Sequence, residues 1–357
     1  MFQQVTPDPS EIESKVPRVP LGEDNAQPRK YNISILDEVH RHLLVRAFTR
    51  VTSTEIAEET YAQLIDGLPI ADVAGDKGYR DLPYGHPIFE VHEELCPGVI
   101  EKTQKFYDEF QFETLHFDAK LLFEFQAASP GSRAFNVRLI ELVAVALHQI
   151  AVVIYQLDEN LHKNDSVNDW KPPESDKVFW NNHPDGPLPI LFQHAWYLAY
   201  DQYPDGVADM AGYWAESRIL GGVVLFDRRD PAKYPEADPN AIYLHPDRYD
   251  ASYRIVQLLP EQRKALLDFL TGEDEPTTPL LPIIVDRSNI YRVDPEEPMR
   301  ETGIYRDLWE RKDFPPEAGD SRLRDVVDRH NFPTKADWVA AHGRARARRA
   351  KYYRDEL

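Results

Sequence analysis

Residues Asn136–Lys163 read NVRLIELVAVALHQIAVVIYQLDENLHK, and this stretch decides the fold. It holds no glycine or proline and is apolar on most sides. That predicts a long helix covered all round, the centre of a bundle. Glu141, His148, Tyr155 and His162 recur at seven-residue intervals. Two helical turns separate neighbours, so the four share one face with slow drift. Buried polar groups are costly unless paired. Two readings of the stripe stand: His148 is a hydrogen-bonded core histidine with Tyr155 and His162 near an exposed end, or the stripe lines a site.

Outward from this helix, Tyr31–Ile65 has helical apolar spacing and Asp66–Pro87 reads as a loop punctuated by Gly and Pro. Further helices are expected over Gly98–Phe110, Glu113–Gln126, Ile190–Tyr200, Val207–Leu220 and Leu258–Leu270. Val223–Phe226 and Ala241–Leu244 read as short strands. Beyond Gly272 the chain is rich in proline and charge and is expected to wrap over the surface, with Tyr305–Glu310 as an anchor. The basic end, Arg344–Arg354, reads as a solvated helix face. The fold class is mainly α, divided into a flexible arm (1–30), an N-terminal helical domain (31–110), a helical bundle (111–275) and a C-terminal tail (276–357).

The 357 residues are 42% hydrophobic, enough for a sizeable core. A net charge of -20 argues against a nucleic-acid partner, because phosphates would be repelled. The single cysteine, Cys96, rules out an internal disulfide framework and a cysteine-rich zinc site. No signal peptide stands out, and no run reads as a membrane helix because Leu139–Leu157 carries Glu141 and His148. The closing Arg354-Asp355-Glu356-Leu357 matches an endoplasmic-reticulum retrieval signal only by coincidence on this reading, and the cytosol is the expected location.

Several segments carry a resemblance. Glu141-Leu142, His148-Gln149-Ile150, Tyr155 and Glu159-Asn160-Leu161 resemble the arthropod hemocyanin helix that supplies the third histidine of the first copper site. Pro87–His92 followed by Val99–Lys102 is similar to that family's upstream stretch, and Thr114–Leu121 falls where its first two copper ligands lie, here His116 and Lys120. His194-Ala195-Trp196-Tyr197-Leu198 resembles the opening of the second site, with ligand positions at His194 and Leu198. Tyr203–Val207 resembles the turn that follows, and Asp238–His245 the segment that ends in the last ligand. The likeness covers about Leu82–Tyr253 and leaves no room for the family's β-sandwich domain.

The resemblance implies a hemocyanin-like helical bundle with an N-terminal helical domain and an extended Pro-rich tail. Lys120 and Leu198 stand at two of six copper positions. A protonated lysine repels a cation and leucine cannot bind one, which argues against a copper pair. The retained His116, His148, His194 and His245 would instead hold one zinc ion with a position open for substrate. Within the hemocyanin/tyrosinase superfamily the chain looks like the fungal cyclopenase type. That implies a non-redox lyase of quinolone alkaloid biosynthesis, converting a cyclopenin-type benzodiazepinedione to a viridicatin-type 4-arylquinolone with loss of methyl isocyanate. Glu216, Lys120 or Glu141 would then handle protons, and Phe117, Tyr155, Trp196, Tyr197, Tyr213 and Trp214 would enclose a small aromatic substrate.

Other readings stay open. Lys120 could fill the vacated cation site of a metal-free cyclase or pericyclase, or the chain could be a storage or binding protein; a homo-oligomer is compatible with any of these. Asp209 and Glu216, seven apart, share a helix face. Asp209 leans to a structural role. Glu216 is either a ligand or general base, or the partner of Arg218 or Arg254. His86, His92, His183, His330 and His342 are expected at the surface.

Overall fold

The computed structural model describes residues 29–75, 82, 85–157, 160–162, 165–247, 252–272 and 279–312, with 334–336, 339–340 and 343 in the tail. The expectations for the arm before residue 29, for His330 and His342, and for the basic end and closing tetrapeptide lie outside these residues.

A short strand, β1 (Lys30–Tyr31), pairs antiparallel with β2 (Phe117–Asp118). Between them come α1 (Glu38–Thr52), α2 (Glu55–Asp66), α3 (Ala71–Gly75), α4 (Ile88–Val91) and α5 (Val99–Glu109). The helical spacing of residues 31–65 thus builds two main helices. The hydroxyls of Thr52, Ser53 and Thr54 all bond back to carbonyls of α1, offering the backbone an alternative to continuing. At the far end of α2 the chain leaves through Gly67, whose φ of 101° is the left-handed conformation that glycine adopts cheaply. A Cβ there would also lie 2.7 Å from the side chain of Asn160.

After β2 follow α6 (Ala119–Ala127) and α7 (Arg133–Gln156). Helix α6 starts later than its apolar spacing suggested, because Phe117 and Asp118 are committed to β1 and Asp118 caps the helix by accepting from the Leu121 N–H. Helix α7 is capped by Ser132 and is buried along most of its length. By length and composition it could cross a membrane, but 78% of its most apolar window is covered by protein. It stops short of Lys163: the amides of Leu161 and His162 bond the carbonyl of Asp66 at 3.0 and 3.2 Å. Those donors serve the end of α2 and are lost to a helical ladder.

Next come α8 (Lys177–Asn182) and α9 (Val207–Leu220). No helix forms over Ile190–Tyr200. There the amides of Ala195, Trp196 and Ala199 bond the side chains of Asp247, His194 and Tyr203, so side-chain acceptors replace the carbonyls that a helix would use.

Strands β3 (Val223–Asp227), β4 (Ile242–His245), β5 (Ile255–Gln257), β6 (Arg292–Val293) and β7 (Ile304–Tyr305) form one antiparallel sheet in the order β6-β5-β4-β3-β7. Val223 stands opposite His245 in its central pair. Helices carry most of the regular structure, but this sheet is a second layer, so a mainly-α description holds only loosely. Helix α10 (Pro260–Thr271) packs on α1, and α11 (Met299–Thr302) leads into β7. Residues 292–311 therefore complete the sheet and core, where a surface wrap was expected. Arg306 and Arg311 are buried and Glu310 is fully so.

One apolar core joins α1, α2, α6, α7, α9, α10 and the sheet. Its axis is the packing of α7 on α9. The two heptad-spaced polar stripes meet there: His148 of α7 reaches both Asp209 and Glu216 of α9.

Candidate metal centre

Four side chains meet where α2 ends. Asp66 is its last residue, His92 follows α4, Cys96 precedes α5, and His162 lies in the segment after α7. A carboxylate oxygen, two imidazole nitrogens and a thiol sulfur lie within 4.8 Å of one another. This cluster could hold a metal ion. Asp66 is inaccessible to solvent, His92 is buried, and Cys96 and His162 are half-buried.

The arrangement of protons points the same way. His92 Nδ1 lies 3.1 Å from the carbonyl of Pro69, which can only accept, so Nδ1 carries hydrogen. Its Nε2 is 3.1 Å from Asp66 Oδ2. A carboxylate also only accepts, so without a cation Nε2 must be protonated too. The bond to Asp66 accordingly raises the His92 pKa above the usual histidine value, against the opposing effect of burial. For Asp66, burial pushes upward, but bonds from His92 and from the Cys96 amide, 2.9 Å away, outweigh it and hold the carboxyl low.

His162 is oriented alike, with Nδ1 2.8 Å from Asp165 Oδ2. Its Nε2 faces inward, 3.3 Å from Cys96 Sγ. Burial, then Asp66, raises the Cys96 thiol pKa, which keeps the sulfur protonated and able to donate. Both imidazoles thus have Nδ1 anchored by an acceptor and Nε2 turned inward, the outer-shell pattern of histidines that bind metal. Asp66 Oδ1 points the same way, buried without a hydrogen bond and 3.5 Å from His162 Nε2. The protons on His92 Nε2 and Cys96 Sγ occupy places that a cation would take, so binding would release them.

The residues expected to form a site lie elsewhere. His148 Nε2 bonds Asp209 Oδ1 at 2.8 Å, and Nδ1 faces Glu216 Oε2 at 3.8 Å. Burial alone would lower the His148 pKa, but Asp209 and Glu216 raise it. Glu216, fully buried, accepts from the Val224 amide and from Arg306, whose Nη1 is 2.8 Å from each carboxylate oxygen. Its partner is thus Arg306, and neither Arg218 nor Arg254 fills that place. Burial favours the neutral acid, yet Arg306 and His148 hold Glu216 below its usual range. Glu141 is gripped by Arg138 and Arg228.

His194 and His245 are fully buried, 5.2 Å apart between ring centroids, with His194 Nε2 on the His245 carbonyl. Burial, then the neighbouring His194 and Arg311, drive the His245 pKa well below the usual value. Tyr197 and Tyr213, stacked at 4.5 Å, stand between this pair and His148. His116 is exposed, with Nδ1 on the carbonyl of Thr114. Among the described residues, no three of the four histidines named from the resemblance bring ligand atoms within 4.8 Å of one another. The Lys120 side chain is 84% exposed beside Glu124, away from any buried cation position. Of the expected pocket aromatics, Phe117, Tyr197, Tyr213 and Trp214 are core residues, while Tyr155 and Trp196 are half-buried.

His92 and His86 are buried, where sequence context had placed them at the surface. The available signal was the His92-x3-Cys96 spacing around the only cysteine. His162 was the last member of the seven-residue stripe with Glu141, His148 and Tyr155, while Asp66 gave no local signal. No protein-family model, no curated protein and no solved structure matches this chain.

Proposed function

We propose that this is a zinc-binding protein whose zinc braces its structure, held by Asp66, His92, Cys96 and His162. The observation that supports this most is the convergence of four donors with both imidazoles anchored at Nδ1. Thiolate with imidazole nitrogen favours zinc over the hard cations magnesium and calcium. Four protein ligands complete a tetrahedral shell, as in structural zinc sites, and leave no open position. Bound there, zinc would tie the end of α2 to the segments before α5 and after α7. The lyase chemistry implied by the resemblance needs an open metal position, and the reading supported by this geometry is a bracing one.

Elemental analysis of the purified chain tests it. About one zinc per chain is expected. His116→Ala and His148→Ala variants should keep it, and Cys96→Ala and His162→Ala should lose most of it. Loss from the first pair with retention in the second would return the metal to the histidines of the resemblance and sink the proposal.

A further inference from the structure

We propose that the groove between α5 and the ends of α2 and α7 binds a small amphipathic anion: an apolar chain or ring system with one carboxylate or sulfonate. The proposal stands apart from the zinc reading and concerns different side chains.

The groove encloses about 540 Å³, within the usual range of small-molecule sites, roughly 300–1,000 Å³. Its apolar wall comes from Leu64 of α2, Phe106 and Phe110 on the α5 side, and Val153, Ile154 and Leu157 at the end of α7. Phe106 and Phe110 lie 5.3 Å apart between ring centroids with their planes tilted by 31°, together an aromatic surface against which an apolar body can pack. Leu157 remains 47% exposed, so apolar surface here is left in water.

Charge sets the class of ligand. Lys102 and Lys105, one turn apart on α5, also line the groove and are exposed. Glu109 lies 3.7 Å from Lys105 and offsets it. Lys102 has no ion pair among the described residues. In a chain of net charge -20, a lysine beside an apolar wall is a local exception that favours an anionic head over a neutral or cationic one.

The test is a fluorescence titration of the full chain with 1-anilinonaphthalene-8-sulfonate, which joins apolar rings to one sulfonate. Saturable binding is expected. Val153→Trp should weaken it at least about tenfold by filling the groove. Lys102→Glu, an exposed change that leaves the core intact, should weaken it about three- to tenfold at low salt, with the difference shrinking near 0.5 M salt. Decanoate should displace the probe at lower concentration than decanol. The proposal is overturned by absent binding, by equal affinity for wild type and Lys102→Glu, or by equal displacement by acid and alcohol. Should Val153→Trp melt unlike wild type by circular dichroism, the Lys102→Glu comparison decides.

Discussion

Arg306 closes on Glu216 across ninety residues of chain, with one guanidinium nitrogen 2.8 Å from both carboxylate oxygens and neither side chain reached by solvent to more than 4%. Removing one partner leaves a buried charge uncompensated. Arg306→Ala should therefore cost about 3–5 kcal/mol in urea unfolding. Arg306→Met combined with Glu216→Gln should cost less than Arg306→Ala alone, because no unpaired charge remains. A loss under about 1 kcal/mol for Arg306→Ala would mean that water reaches the pair.

His148 makes part of the fold's stability depend on pH. Its pKa is raised by Asp209 and Glu216 against the effect of burial. Its contribution is complete below the unfolded histidine value of about 6.5 and is lost as pH rises through the elevated folded value. Asp209, held low by His148 although burial opposes this, contributes above about pH 4 and loses that contribution as pH falls through its depressed value. The stability gap between wild type and His148→Gln should thus be widest between about pH 4 and 6.5 and narrow above. A gap independent of pH would show that His148 stays neutral.

Gly212 lies within α9 facing His148, and a Cβ there would come within 2.5 Å of His148 Nε2. Alanine in a helix ordinarily gains about 1 kcal/mol over glycine. Here it must displace the imidazole from Asp209, and overpacking of this kind costs about 1–3 kcal/mol. Gly212→Ala should be net destabilising by thermal unfolding, and a raised Tm would show that the helices can separate without loss.

Metal removal should act on stability through the native state alone. With free zinc at about a hundred times Kd, the folded chain gains about 2.7 kcal/mol. A chelator should lower the melting temperature, zinc should restore it, and Cys96→Ala should show neither change. An equal chelator effect in Cys96→Ala would place the metal elsewhere.

Lys120 and His116 stand on exposed surface. Alanine at either position should shift stability by no more than about 0.5 kcal/mol, as read by urea unfolding. A larger loss from Lys120→Ala would revive a buried role for its ammonium.

What the sequence determined by itself is the axis of the fold. Residues 136–156 are apolar, lack glycine and proline, and carry a polar residue every seventh position; residues 207–220 end at a glycine pair and carry Asp209 and Glu216 at the same interval. These are local patterns set by helix geometry, and α7 and α9 follow them with their stripes facing. The tertiary structure alone decided the rest. Ile190–Tyr200 has helical apolar spacing but gives amides to side chains, that of Ala195 to the distant Asp247 and that of Ala199 to Tyr203, itself anchored on the Glu310 carbonyl. Glu216 takes Arg306 over arginines nearer in sequence, because burial selects whichever cation the packing delivers. Asp66, His92 with Cys96, and His162 come from three segments with no shared period. The Asp66 carboxylate holds His92 and the Cys96 amide, and its carbonyl captures the amides of Leu161 and His162, contacts between chain ends that no local spacing encodes.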